Sequence, residues 1–455
     1  MVESALCRTL AASLLGGALL AAMPAIGGVI DATPANYGTA LGNLKAGDTL
    51  RLASGTYTQS LPLQGLNGTA AAPIVIMGPE DRSAVFQGQS CCNTVQFDNS
   101  SYIEVRNLTL DGMHRPEPFG VDTSGPSHHI TIENLKIVNY DADQAMIGIS
   151  TKAVAWNWVI RRNTIIGAGT GMYLGNSDGS AAFVAGTIEN NLIIDTLGYN
   201  IEIKHQNPRP TNVGMPTGNS RTIIRHNVFS KSGNSSGGDL ARPNLLVGHF
   251  PLSGAGVNDR YEIYGNFFYR NPVEALFQGE GNLILHDNVF VNDIGDAIHV
   301  MPHNDVPREV QIFNNTIVAR DDGLRVSGLA SGYTQRLVGN VVYSGNSVTG
   351  PNQSNNVIGA YSAASNTLNA PTAALGTLDL FPKSGQLTGS PIDMTTFAEF
   401  VDSSKDFDGR ARTGVHRGAY EGDGTNTGWK LSLTIKPVAG LGGKTPNPPT
   451  NLTAN

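Results

Sequence analysis

The sequence predicts an all-β solenoid, an elongated stack of short strand–turn–strand coils. Three observations support this fold class. Only 15% of the 455 residues are charged, whereas coiled coils and helical bundles are rich in Glu, Lys and Arg. The 54 glycines and many short β-branched runs indicate tight turns between strands. These runs also recur around an asparagine at a countable spacing, which is the mark of a repeat fold.

The repeat unit is two or three apolar or β-branched residues, then Asn, then two or three more apolar residues, as in Ile130–Ile137. Asn tolerates the left-handed conformation of a turn, and its amide can hydrogen-bond to the same residue of the next coil. Intervals of 36 and 39 residues, longer than the others, predict inserted loops on the binding face. The repeated positions are Asn107, Asn134, Asn163, Asn191, Asn227, Asn266, Asn288, Asn315 and Asn340.

The ends of the chain differ from this repeat. Arg8 precedes the uncharged apolar run Leu10–Ala22, and small residues follow, which predicts a cleaved secretory signal. The run is shorter than the roughly 20 residues that span a bilayer, so we expect a secreted, periplasmic or cell-surface protein without a membrane span. The predicted divisions are a signal peptide at 1–25, the solenoid at 26–345, an irregular C-terminal cap at 346–435 and a Pro/Gly-rich linker or tail at 436–455.

The cysteines give little reason to expect a stabilising cross-link. Cys7 lies in the predicted signal, and Cys91 and Cys92 are adjacent. A disulfide between neighbours forms a strained ring, so we expect two buried thiols that pack as small hydrophobic groups. No Cys/His pattern has the spacing of a zinc site.

Two segments carry a resemblance to known families. The repeat over residues 30 to 345 resembles that of right-handed parallel β-helix proteins. The opening, Leu44–Tyr57 followed by Gly68–Ile76, resembles the start of polysaccharide lyase family six, which includes alginate lyases and chondroitinase B. The resemblance implies a right-handed parallel β-helix of about ten coils that acts on extracellular glycans.

The strands that follow the Asn turns predict a polar face. Alternate residues of a strand point to opposite sides, and neighbouring strands lie about 4.8 Å apart, so aligned outward residues would form a groove for a polysaccharide. We predict an outward row of Tyr173, Glu202, Leu246, Leu276, His299 and Arg325, and a second row of Lys204, Gly248, Gln278, Met301 and Ser327. The predicted substrate-binding residues are Tyr173, Glu202, His205, Gln278, Glu280, His299, His303 and Arg325.

The resemblance to the lyase family implies catalytic roles. Lys204 would be the base that removes the C5 proton of a uronate. Glu202 would either bind a Ca²⁺ ion that neutralises the uronate carboxylate or orient that carboxylate. The family has Arg-His-Gly where this chain has Val247-Gly-His249, so Arg242 or Arg225 would replace the missing Arg and His249 would act as the acid. The alternative is that Glu202 and Lys204 form only a surface ion pair.

These observations predict a lyase that cleaves uronate-containing glycans by β-elimination. A glycoside hydrolase would instead need two carboxylates, for which Glu202 with Glu280 or Glu274 is the nearest pair. A glycan-binding adhesin without catalysis is the third hypothesis. Asp321 and Asp322 resemble the paired aspartates of polygalacturonase-type hydrolases, but the Gly-His-Gly loop of that family is absent, and a turn cap explains the two residues more simply.

The net charge of −7 and the isoelectric point near 5.8 exclude a typical nucleic-acid binder. The expected partner is an acidic polysaccharide or oligosaccharide, bound by a monomer. Such a ligand would be repelled by the protein's overall charge. A local patch of Lys204, Arg242, Arg325 and histidines, or a bound cation, must therefore overcome the repulsion.

Overall fold

The computed structural model describes residues 27–210 and 212–437. Three parallel sheets of 15, 12 and 10 strands run the length of the molecule, and successive strands of one coil belong to different sheets. This confirms the predicted right-handed parallel β-helix. The predicted signal peptide at 1–25 and nearly all of the predicted tail at 436–455 lie outside the described residues. None of the described helices has the length and hydrophobicity that a membrane span requires.

Sheet 1 has 15 strands and precedes the Asn turn in each coil. Its outer surface carries ion pairs between adjacent coils, such as Arg161 with Glu133 at 2.8 Å. Its strands are Val29–Ala32, Thr49–Leu52, Ile74–Met77, Ser100–Arg106, Ser127–Glu133, Ala155–Trp156, Val159–Arg161, Phe183–Val184, Thr187–Glu189, Arg221–Arg225, Arg260–Tyr264, Leu283–His286, Val310–Phe313, Gln335–Val338 and Gln353–Ser354.

Sheet 2 has 12 strands and follows the Asn turn. Its last strand pairs in parallel with Val341–Ser344, so the coils continue past the predicted boundary at residue 345. Its strands are Gly55–Tyr57, Ala84–Gln87, Leu108–Asp111, Lys136–Val138, Thr164–Ile166, Leu192–Ile194, Val228–Ser230, Phe267–Tyr269, Val289–Asn292, Thr316–Ala319, Val341–Ser344 and Val357–Ala360.

Sheet 3 has ten strands and completes each coil. Its inward residues, such as Ile201 and Ile203, are buried in the core that all coils share. Its strands are Leu61–Gln64, Val95–Asp98, Val121–Thr123, Ile147–Thr151, Thr170–Leu174, Ile201–Ile203, Leu245–Val247, Phe277–Gly279, Ile298–Val300 and Leu324–Val326.

A buried ladder of Asn side chains joins sheets 1 and 2, as predicted. The Asn227 side-chain oxygen accepts bonds from the Asn191 backbone and side-chain nitrogens at 3.0 and 2.9 Å, and Asn227 bonds to Asn266 in the same way. Its Nδ2 also donates to the Ile188 carbonyl at 2.9 Å. From Asn163 onward the ladder satisfies polar groups of the turns inside the core, so it fixes these coils against one another.

The first two predicted ladder positions lie one residue early. Asn107 and Asn134 themselves adopt positive φ angles of 57° and 53°. From Asn163 onward the ladder Asn is not the left-handed residue, because the residue before it, such as Arg162 with φ of 57°, takes that conformation. The turn and the ladder are therefore two adjacent positions of the repeat.

The C-terminal part packs on the outer face of sheet 2. Phe381, Phe407 and Tyr420 form one buried cluster with Phe267 and Tyr269 of that sheet. This segment contains the antiparallel pair Leu368–Ala370 and Asp379–Pro382. The helices within residues 27–210 and 212–437 are short: Tyr37–Leu41 and Ala364–Thr367 are α-helical, and Gly238–Leu240, Tyr361–Ala363 and Met394–Phe397 are 3₁₀ turns. The outer face of sheet 3 is left to the inserted loops.

The prediction for the two adjacent cysteines is wrong. Cys91 and Cys92 are exposed, and their sulfur atoms are bonded to each other. They lie in the turn between Ala84–Gln87 and Val95–Asp98, outside the apolar interior that the prediction required.

Candidate active-site groove

The outward side chains of sheet 3 form a continuous row across successive coils. Backbone pairing aligns Tyr173 with Glu202, Glu202 with Leu246, and Leu246 with Gln278. The row then continues to His299 and Arg325. The row is as predicted except at one coil, where Gln278 takes the place of Leu276.

The strand of this coil begins at Phe277, so Gln278 is its outward residue. Leu276 precedes the strand and is fully buried. The prediction therefore placed this coil two residues out of register. A shift of two residues leaves the alternation between inward and outward side chains unchanged. The alternating pattern therefore could not reveal the error.

Two loops border this face at opposite ends of its strands. The loop at 204–220 leaves the strand Ile201–Ile203, and the loop at 231–244 enters the strand Leu245–Val247. They fall within the two long Asn intervals, as predicted. The Arg209 guanidinium pairs with the buried Asp259 carboxylate and donates to the Pro216 carbonyl at 2.6 Å. These contacts tie the first loop to the segment before the strand Arg260–Tyr264, and we call the face that the two loops border the groove.

The central charged pair of the groove is Glu202 with Lys204. The Lys204 Nζ donates to the Glu202 Oε1 at 2.7 Å, and the two side chains are 18% and 3% exposed. Burial raises the pKa of Glu202, and the Lys204 ammonium opposes that change. Burial alone would lower the pKa of Lys204, but the Glu202 carboxylate, with a smaller contribution from Tyr173, raises that pKa above its ordinary value. Lys204 is therefore held as a cation.

Aromatic rings surround this pair. The Lys204 and Lys152 ammonium groups lie 5.5 and 5.3 Å from the centre of the Tyr173 ring, within the range of a cation–π contact. Burial, assisted by the Glu202 charge, raises the pKa of both Tyr173 and Tyr199, so both hydroxyls keep their protons. Tyr199 was missed because it precedes its strand rather than lying on it.

Arg242 reaches the same region from the loop at 231–244. Its guanidinium lies 5.8 Å from the centre of the Tyr199 ring, and its charge opposes the rise in the pKa of Glu202. Lys231 and Asn271 hold the Arg242 carbonyl with bonds of 2.8 and 2.9 Å. Burial lowers the pKa of Lys231 to about 7. Lys231 was not predicted, because nothing in its local sequence marks a buried anchor.

Two histidines lie beyond Lys204. The rings of His205 and His249 are 5.3 Å apart. The His249 Nδ1 lies 2.8 Å from the Phe250 carbonyl oxygen, which can only accept, so Nδ1 carries the proton. In the neutral tautomer with the proton on Nδ1, Nε2 is unprotonated and can accept a proton. Burial lowers the pKa of His205, and the neighbouring His249 and Lys204 add to that effect.

Glu280 lies beneath the groove rather than in it. The residue is buried, and its Oε2 accepts bonds from the backbone nitrogens of His303, Asn304 and Asp305, each at 2.9 Å. Its Oε1 accepts from the His249 backbone nitrogen at 3.2 Å. Glu280 thereby positions the exposed His303 and the His249 backbone. A carboxylate engaged in this way does not supply the second acid of a hydrolase.

His299 and Arg325 lie at the far end of the row, apart from the pair at Glu202. The His299 Nε2 is 3.6 Å from the Asp296 Oδ2 and 3.4 Å from the Asp322 Oδ2. Among the described residues, this triad is the one group of three whose atoms could surround a metal ion. Asp296 was not predicted, and Asp322 was assigned to a turn cap.

The residues around Glu202 do not fit the Ca²⁺ site that the lyase resemblance implies. Ca²⁺ takes six to eight oxygen ligands. Glu202 is the one carboxylate in the row from Tyr173 to Arg325, and a lysine ammonium is bonded to it. The chain's own cation occupies the place where the metal would bind.

Comparisons with known proteins give structural neighbours at low sequence identity. No protein-family model and no curated protein matches the chain. An alginate lyase from Paenibacillus sp. str. FPU-7 is 18% identical, with 67% of this chain and 99% of that chain covered and a TM-score of 0.40. Pectate lyase Pel9A is 13% identical, with 87% and 96% covered and a TM-score of 0.49.

The A-module of a mannuronan C-5 epimerase from Azotobacter vinelandii is a further neighbour. It is 16% identical, with 72% of this chain and 89% of that chain covered and a TM-score of 0.48. Similarities at this level assign no activity to this chain.

Proposed function

We propose that the protein is a polysaccharide lyase that cleaves uronate-containing glycans by β-elimination. The observation that carries this proposal is the Lys204 ammonium, held charged by Glu202 on the floor of the groove. Lys152 and Arg242 lie near the same aromatic rings. The net charge is −7, yet cations are concentrated where an acidic sugar would bind, which meets the need for a local positive patch.

The charged state of Lys204 changes its proposed role. A base must be unprotonated before it acts, whereas the Glu202 carboxylate raises the pKa of Lys204. We therefore assign Lys204, with Arg242, to the uronate carboxylate, where they would stabilise the negative charge that develops when the C5 proton leaves. His249 takes the role of the base, because its Nε2 is unprotonated in the neutral tautomer.

The proposed step is balanced without a co-reactant. The His249 Nε2 takes the C5 proton, and the C5–H electron pair forms the C4–C5 double bond. The C4–O bond then breaks, and its electrons leave with the glycosidic oxygen. The Tyr173 hydroxyl, which stays protonated because its pKa is raised, donates a proton to that oxygen.

The test is incubation of the purified protein with alginate, pectate, chondroitin and dermatan. Ultraviolet absorbance follows the unsaturated uronate, and reducing ends are measured in parallel. The proposal expects both signals to rise together on at least one polymer, and both to be lost in His249→Gln. Reducing ends without absorbance would indicate hydrolysis. Binding without either signal would indicate a glycan-binding protein.

The proposal also includes export and organisation. The predicted signal at 1–25 supports a secreted, periplasmic or cell-surface location, where such polymers are found. The division into a β-helix, a C-terminal cap and a tail remains part of the proposal, as does the monomeric state. Mass determination of the mature N-terminus and light scattering of the purified protein test these points.

A further inference from the structure

A second charged centre lies on the same face of sheet 3, at Asp296, His299 and Asp322. The two aspartates occupy equivalent positions of successive coils, because Ile298 pairs with Leu324. The Ala297 nitrogen also donates to the Asp322 carbonyl at 2.8 Å. Their backbones are thus one strand spacing apart, about 4.8 Å. Two carboxylates at equivalent positions of adjacent coils repel each other unless a cation lies between them.

Each aspartate uses one oxygen for support and leaves the other facing the centre. The Asp296 Oδ1 accepts from the Asp322 backbone nitrogen at 2.7 Å, and the Asp322 Oδ1 accepts from the Asn346 Nδ2 at 2.8 Å. The remaining Oδ2 atoms both face His299. Metal-binding carboxylates are commonly oriented by hydrogen bonds of this kind.

His299 supplies the independent sign of a ligand. The residue is 8% exposed, and its Nε2 is buried without a hydrogen-bond partner among the described residues. The distances to the two carboxylate oxygens, 3.4 and 3.6 Å, are too long for good hydrogen bonds. They match the separation of about 3.4 Å between ligand atoms that lie about 2.1 Å from a tetrahedral metal ion.

The chain's own nearby cation does not fill this space. The Arg325 NH1 lies 3.6 Å from the Asp322 Oδ2, and its side chain is 51% exposed. It can therefore move into solvent and leave the centre to another cation. In this respect the centre differs from Glu202, whose lysine is in direct contact at 2.7 Å.

We propose that Asp296, His299 and Asp322 bind one divalent transition-metal ion, with Zn²⁺ as the best match. One imidazole and two carboxylates suit such ions, whereas Ca²⁺ prefers an all-oxygen shell. A three-residue site leaves a coordination position for water or for an anionic group of a ligand in the groove. The site is three strand spacings, about 14 Å, from Glu202, so the proposal stands independently of the lyase function.

The test uses the full-length purified protein, treated with a chelator and dialysed. Calorimetric titration with Zn²⁺, Mn²⁺ and Ca²⁺ is expected to give one equivalent of bound Zn²⁺ and Ca²⁺ binding at least 100-fold weaker. Co²⁺ is expected to give the visible spectrum of a four-coordinate ion. His299→Gln and Asp322→Asn are each expected to weaken Zn²⁺ binding at least 100-fold. Asp321→Asn changes an adjacent exposed carboxylate outside the triad and is expected to leave the Zn²⁺ affinity unchanged.

Wild-type protein that binds no stoichiometric Zn²⁺ overturns the proposal, whatever the variants do. Equal Zn²⁺ affinity in wild type and His299→Gln also overturns it, since the metal would then lie elsewhere. Circular dichroism establishes that each variant is folded. Should a variant fail that check, the wild-type Co²⁺ spectrum decides: features of a fully hydrated ion contradict the site, and four-coordinate features support it.

Discussion

The groove contains two acidic centres that are balanced in different ways. At Glu202 a buried carboxylate is matched within the same strand by the Lys204 ammonium at 2.7 Å. At His299 two stacked carboxylates face one imidazole, and Arg325 remains 3.6 Å away. One centre is neutralised by the chain itself, and the other has more negative charge than its neighbours neutralise.

This difference explains why only one centre favours an external cation. A carboxylate bonded to a lysine has no free charge for a metal, whereas two aspartates one strand apart stabilise a metal and are stabilised by it. We therefore propose the first centre for the uronate carboxylate and the second for the metal ion. The following experiments test that division.

The largest expected effect comes from removing the cation at the first centre. Lys204→Met is expected to lower kcat/KM about 10³-fold, the upper range for loss of one group that stabilises developing charge. It is also expected to cost about 3 kcal/mol of unfolding free energy, because Glu202 stays buried without its partner. Activity assays and denaturant unfolding measure the two effects.

The double variant Glu202→Gln/Lys204→Met separates these losses. Its stability is expected to recover, since no unpaired charge remains, while its activity stays low. Recovery of activity in the double variant would contradict the role of Lys204 as the essential cation.

The next effect concerns the second centre. Zn²⁺ at 100 times its dissociation constant is expected to raise the unfolding free energy of wild type by about 2.7 kcal/mol. Asp322→Asn is expected to lose this increase, and Lys204→Met to retain it. Thermal unfolding with and without Zn²⁺ measures the change. Loss of the increase in Lys204→Met would show that the two centres are not independent.

A smaller effect is expected in the pH profile. Below its ordinary pKa of 10.5, Lys204 keeps the full benefit of its ion pair, and this is lost as the pH rises through its raised pKa. Glu202→Gln removes the carboxylate that raises the pKa of Lys204, so burial, which lowers that pKa, is then opposed only by Tyr173. The alkaline fall in kcat/KM is therefore expected at lower pH in the variant. An alkaline limb that does not move would indicate that another group controls it.

The smallest effect is expected from Arg325→Gln. The exposed guanidinium competes weakly for the Asp322 Oδ2, so its removal is expected to tighten Zn²⁺ binding by less than about 1 kcal/mol. Calorimetry measures the affinity. Weaker Zn²⁺ binding in this variant would mean that Arg325 supports the site rather than competing for it.

The fold could be predicted because the residue that joins successive coils, Asn, recurs in the sequence at a spacing of one coil. Each ladder Asn bonds to the Asn of the next coil, so the spacing of Asn residues reports the coils directly. The pairing of Glu202 with Lys204 was predictable for a similar reason, because residues two apart on a strand share a face. The exposure of Cys91 and Cys92 and the bond between them could not be predicted, because their turn is not part of the repeat pattern.

Contacts that depend on loop length were harder to predict. Because the length of the loop before Phe277 was not known, the predicted alignment of that coil was displaced by two residues. It placed Leu276 at the position that Gln278 occupies. Asp296 and Asp322 each precede their strand, so they meet only once the register of two coils is known. A signal was nevertheless present, because each aspartate lies three residues before the outward residues His299 and Arg325.

The Asn ladder also sets the distances between positions along the groove. Because each coil is locked to the next at the same buried position, distances along the groove change only in steps of one coil, about 4.8 Å. The lysine centre and the aspartate centre are therefore held at a separation of three steps. A chain with one coil fewer between the two centres would hold them one step closer, and would change the length of the sugar segment that could touch both.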